Sequence, residues 1–174
     1  DMQGTMKPQA RIQTVIELLG RVYDLRMPMD SICGDYLRTR RYIGAKDRAF
    51  IAEHVYDLMR HHARLGWWLE HLNFAATPRA RVIVFMALVQ DVPVSRFKDL
   101  FDGSSHAPEK LDDAEMSLIA SLQGQSIRHK NMPEDVACEC PPDNVKALRE
   151  YFGKDFHSEM QAMLLPATLD LRVN

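Results

Sequence analysis

Apolar residues recur along this chain with the period of an α-helix, and only its last positions alternate like a strand. Ile12, Val15, Ile16, Leu19, Val22 and Tyr23 fall on one face of a helix beginning near Gln9. Pro28 is expected to end it, because the residue before a proline is pushed out of the helical region. A shorter helix is predicted over 30–37. From 45 to 69, Phe50, Ile51, Val55, Leu58, Met59, Leu65, Trp68 and Leu69 keep helical spacing, and Glu53, Asp57, Arg60 and Arg64 gather opposite them. That pattern predicts one long amphipathic helix as the central element of the fold, with Trp68 inward and Trp67 more exposed.

Thr77-Pro78 is a cap followed by proline at the first helical position, and 81–90 is apolar almost all round, as in a helix enclosed by others. A short helix or a turn is expected over 94–101. Another starts at Asp112 and Asp113 and carries Met116, Ile119 and Leu122. Residues 124–142 lose the period and read as a linker. Two small helices follow, one over 145–152 closed at Gly153 and one over 156–164 stopped by Pro166, and then an unpartnered strand over 169–173. Residues 1–8 carry no period and read as a flexible leader. The fold class is therefore all-α: a helical domain over 9–125, then a linker and two small helices over 126–174.

Composition adds limits. A chain of 174 residues can bury a substantial core. Its longest apolar run, Val82 to Val89, is too short to span a bilayer, so no membrane partner is expected. Three cysteines make no disulfide framework, which fits a reducing, cytoplasmic setting. The net charge of −2 conceals an asymmetry, +4 over residues 1–90 and −6 over 91–174. The N-terminal half can present itself to a polyanion, or both halves are simply solvated.

Catalytic chemistry is hard to find. The eight glycines are too scattered for a phosphate-cradling loop or a dinucleotide fingerprint. Cys138 and Cys140 lack a second ligand pair at zinc spacing and read as surface or linker residues. His54, His61 and His62 share a helix without forming an i, i+3 or i, i+4 pair, so no metal is expected and boundary packing is the default. Ser104-Ser105-His106 lies in a turn-rich loop with no oxyanion framework. Taken alone, the chain does not read as an enzyme.

What remains is a basic surface. Arg38, Arg40, Arg41, Lys46 and Arg48 fall within eleven residues, interleaved with Tyr36 and Tyr42. Guanidinium forks match phosphate oxygens, a tyrosine can stack on an unpaired base, and a helix N-terminus adds backbone donors. The alternative is that these cations pair with Asp35, Asp47 and nearby acids on a solvated face. Arg60 and Arg64 extend the candidate RNA contacts, although Asp57 stands one turn from Arg60.

The run Arg41-Tyr42-Ile43-Gly44-Ala45-Lys46-Asp47-Arg48, followed by Ile51-Ala52-Glu53 and Val55-Tyr56, resembles the N-terminal helical region of RsmB/Sun-type (Fmu) bacterial ribosomal RNA cytosine-5 methyltransferases. Phe101-Asp102-Gly103, Met132-Pro133-Glu134 and the terminal Leu171-Arg172-Val173-Asn174 agree in order, so the resemblance runs from about residue 9 to the end. It implies a NusB-like bundle that helps engage RNA, the last residues leading toward a methyltransferase core. It also implies S-adenosylmethionine as cofactor of a catalytic domain outside these residues, a partner in cis, with no cofactor in this chain. The family's nucleophilic cysteine follows a proline or threonine, whereas Cys140 precedes a proline, so no catalytic residue carries over. Two other readings stand beside this one: a free-standing NusB-like module binding RNA and a protein partner, and a purely structural helical domain.

Overall fold

The computed structural model describes residues 5–140, 153–155 and 158. Eight helices make up the described residues, with a short 3₁₀ turn at Gly153–Asp155 and no strand among them. The all-α expectation holds there. The two small helices apart from that turn, and the terminal strand, lie outside the described residues.

α1 spans Pro8–Asp24, with proline at its start where the missing N–H leaves no bond unmade. It buries Thr14, Val15, Leu18 and Leu19. The helix ends four residues before Pro28, at an extended Leu25, and Pro28 instead leads into α2, Met29–Thr39. Ahead of α1, half-buried Met6 packs on the core and its N–H donates to Asp47 Oδ2 at 2.9 Å, so the expected leader is anchored by residue 6.

The expected single helix over 45–69 is two: α3, Ala45–Arg60, and α4, His62–His71. The break is at His61, and its cause is a competition for one carbonyl. His61 Nδ1–H donates to Asp57 O at 2.7 Å, taking the acceptor that the His61 backbone N–H would use in a continuous helix. That N–H turns instead to Leu58 O and Met59 O. The imidazole is then held edge-on to Phe85, with ring centroids 5.6 Å apart.

The central position belongs to α5, Pro78–Leu88, rather than to residues 45–69. Its N-cap Thr77 accepts from Ala80 N–H, and every residue from Val82 to Leu88 is buried, as its unbroken apolar pattern predicts. α5 touches α1, α3, α4 and the later α7, which explains why no polar face survives on it. α6, Val94–Leu100, and α7, Asp113–Leu122, complete the bundle, α7 opening with a reciprocal Asp112/Glu115 capping box.

Residues 126–140, expected as linker, are packed on α4. Trp68 Nε1 donates to Ile127 O at 2.6 Å, and Met132, Ala137, Cys138 and Cys140 are buried. The surface assignment of the two cysteines is thereby corrected. A short helix, α8, Glu134–Ala137, brings this segment against α4. Lack of helical period here reflects an irregular chain whose side chains alternate too unevenly to read, not a lack of core contact. No helix among the described residues is long and apolar enough to cross a membrane.

Candidate nucleic-acid interface

The turn joining α2 to α3 begins at Arg40, whose N–H bonds Leu37 O, and closes when Ile43 N–H donates to Arg40 O at 3.1 Å. Ile43 is fully buried and fixes the turn to the core. Gly44 caps α3 in an extended conformation, φ −72°, open to other residues as well.

Two of the predicted contact residues build this turn. Arg48 donates from Nε to Ile43 O at 2.7 Å and from Nη2 to Arg40 O at 3.3 Å, stapling both carbonyls from one turn into α3. Arg40 lies over the Tyr36 ring, 3.6 Å from its centroid, and donates to Tyr36 O. Tyr36 is buried, and its hydroxyl donates to Glu17 Oε2 at 3.0 Å. Burial first, and that bond second, push the phenol up to about 12.

Asp47 does not neutralise the turn. It is 3% exposed and faces α1, accepting from Met6 N–H and from Arg11 Nε at 2.7 Å. Asp35 does pair with Arg38, one turn away on an exposed face. What remains outward is Arg41, Tyr42 and Lys46, all exposed, Tyr42 by 70%. Among the described residues neither Arg41 nor Lys46 has an acidic partner. An exposed aromatic residue and two exposed cations thus fall within six residues at the start of α3.

Arg60 and Arg64 lie elsewhere. Arg60 pairs with Asp57 at 3.3 Å, half-exposed, as its spacing suggested. Arg64 sits on α4 in a largely enclosed pair with Glu139, at 2.9 Å. The turn carbonyls bring Arg40 and Arg48 together, while Arg60 and Arg64 belong to separate ion pairs with Asp57 and Glu139.

Several polar arrangements had no signal in the sequence. Glu139 is 75 residues from Arg64. Arg79 grips Glu115 through Nε and Nη2 and also donates to Glu109 O, tying α5 to α7 and to the loop before it. Tyr23 O–H donates to His62 Nδ1, while Arg81 lies over the Tyr23 ring and donates to His62 O at 3.1 Å. Burial, then the Arg81 charge, lower the His62 pKa, with Glu139 opposing.

Among the described residues no strand leads into a glycine turn, and Gly103 and Gly124, both at positive φ, serve separate turns after α6 and α7. Among them no group of three His, Cys, Asp or Glu side chains is placed to hold a metal ion. No family model, no curated protein and no solved structure matches this chain.

Proposed function

We propose that the chain is an RNA-engaging helical domain, NusB-like in arrangement, that positions ribosomal RNA for a cytosine-C5 methyltransferase domain outside these residues. The observation that carries the reading is the outward trio Arg41, Tyr42 and Lys46 on a turn whose other two arginines are committed to holding it in shape. A rigid turn presenting free cations loses little side-chain and backbone freedom on meeting a phosphate chain, and the tyrosine offers a face for an unstacked base. The motif run 41–48 supports the same family, and S-adenosylmethionine would be bound by the catalytic partner in cis.

The test is binding of a short ribosomal RNA hairpin followed by fluorescence anisotropy at several salt concentrations. Affinity that falls steeply with salt, and less steeply once Arg41 and Lys46 become alanine, supports the reading. A salt response unchanged by that replacement, in a protein still folded, returns the domain to a structural role.

A further inference from the structure

Away from the basic turn, α1, α3, α5 and α6 leave a cleft of 270 Å³ between them. Its floor is apolar: Ile12, Val15, Leu58, Val82, Phe85 and Met86. One wall is aromatic, the Phe50 ring stacked on His54 with centroids 3.8 Å apart and overlaid by the Arg11 guanidinium at 4.8 Å. His54 is fully engaged. Its Nδ1–H donates to Phe50 O at 2.8 Å, and its Nε2 accepts from the Gln90 amide at 3.0 Å.

The rim is one-signed. Arg11 and Arg96 line the cleft, and among the described residues no carboxylate does. Arg11 already has Asp47 as counter-ion. Arg96 is exposed, with no hydrogen-bonding or ionic partner for its side chain among the described residues. A mostly apolar cavity with a few convergent polar groups is the usual form of a small-molecule site. Since an apolar cavity of about 150 Å³ accepts benzene, this one has room for roughly ten non-hydrogen atoms.

We propose that this cleft binds a small amphiphilic carboxylate, its hydrocarbon part on the Ile12–Val82–Met86 floor and its head group on Arg96. The charge pattern decides the class. A cationic head would meet Arg96 and Arg11 with no acid to receive it, and a neutral one would leave the guanidinium unused. The basic turn at 40–46 does not line the cleft, so the site stands independently of RNA binding.

Octanoate, with ten non-hydrogen atoms, is the probe, and octylamine and n-octanol are the comparison ligands. Calorimetry on the full chain should show saturable octanoate uptake and at least tenfold weaker binding of the amine. Arg96→Gln should weaken octanoate roughly tenfold, the loss of one charge-assisted contact, and leave octanol unchanged. Val92→Trp, at the cleft edge, should abolish binding of both ligands while circular dichroism shows an intact fold. Absence of saturable uptake, equal binding of acid and amine, or indifference to both substitutions would overturn the proposal. So would a dimer that Val92→Trp dissolves and octanoate does not, because the cleft would then belong to a second copy of the chain.

Discussion

Glu139 and Arg64 join the segment that follows α8 to the start of α4 through three bonds. The carboxylate accepts from the backbone N–H groups of Ala63 and Arg64, at 2.8 and 2.9 Å, and from Arg64 Nε at 2.9 Å. Both side chains are mostly enclosed, 9% and 11% exposed. One carboxylate therefore serves as helix cap, dipole partner and counter-ion at once, at the point where α3 breaks from α4. A break imposed by His61 leaves first-turn N–H groups of α4 without partners, and Glu139 satisfies two of them.

Replacing Glu139 with alanine should destabilise the fold by about 3 kcal/mol, because it strands an enclosed guanidinium along with two backbone donors. Glu139→Gln, which keeps an acceptor but not the charge, should cost less. Urea unfolding reads both. A change within about 0.5 kcal/mol for the alanine variant would show that water replaces the carboxylate freely.

A chain ending at residue 125 should melt well below one ending at residue 140. The segment between them contributes buried Met132, Ala137 and Cys138, the acceptor for Trp68 Nε1, and Glu139 itself. With several kcal/mol at stake, the midpoint should differ by roughly 10 °C. Equal midpoints would mean that 126–140 adds nothing to the bundle, as expected of a linker.

Period carries the helices that bury one face or all faces, and that is why α1, α5 and α7 are legible from residues alone, whereas the seven residues of α6 are too few to separate a helix from a turn. The His61 break is not, since nothing in His61-His62-Ala63-Arg64 disfavours a helix, and the competing bond is made by a side chain whose ring also meets Phe85 from another element. The central role of α5 follows from what surrounds it, which a local pattern does not contain. The same limit governs the site. Clustering located the basic turn, but the division between structural Arg40 and Arg48 and outward Arg41 and Lys46 depends on which carbonyls the turn exposes. Asp47 looked available to that cluster, and is instead turned to Arg11 and Met6 on the opposite side.

His62 gives the protein an acid-side sensitivity. Its folded pKa lies below its ordinary value of 6.5, since burial first and the Arg81 charge second favour the neutral ring, with Glu139 opposing. The unfolded chain then takes up the proton first as pH falls. Stability attributable to this group is constant above pH 6.5 and declines as pH drops below it, until the folded pKa is passed. His62→Gln should remove that component, so the gap between wild type and variant narrows on acidification from pH 8 to pH 5. Every other group is common to the two proteins, so their difference isolates His62. Urea midpoints that run parallel across this range would deny His62 the role.

The basic turn makes the sharpest separation between holding shape and holding RNA. Arg41 and Lys46 are exposed and have no acidic partner among the described residues, so changing both to alanine should move stability by no more than about 0.5 kcal/mol. If each meets one phosphate of a single strand, the same change should flatten the log–log dependence of affinity on salt by about 1.4. Arg48→Ala should behave the other way. It removes two charge-assisted bonds to turn carbonyls, costing about 2 kcal/mol, and lysine should not restore them because one ammonium lacks the fork that spans Ile43 O and Arg40 O. Its RNA affinity should fall through a loosened turn, with a salt slope close to that of the wild type. Arg60→Ala is the control, its charge being shared with Asp57, and should shift the slope less than either outward residue. If Arg48→Ala flattens the slope as much as Arg41→Ala, the staple opens to reach RNA and the division drawn between the two arginines fails. If neither does, the turn carries no phosphate contact, and the cations of 38–48 only solvate the helix junction.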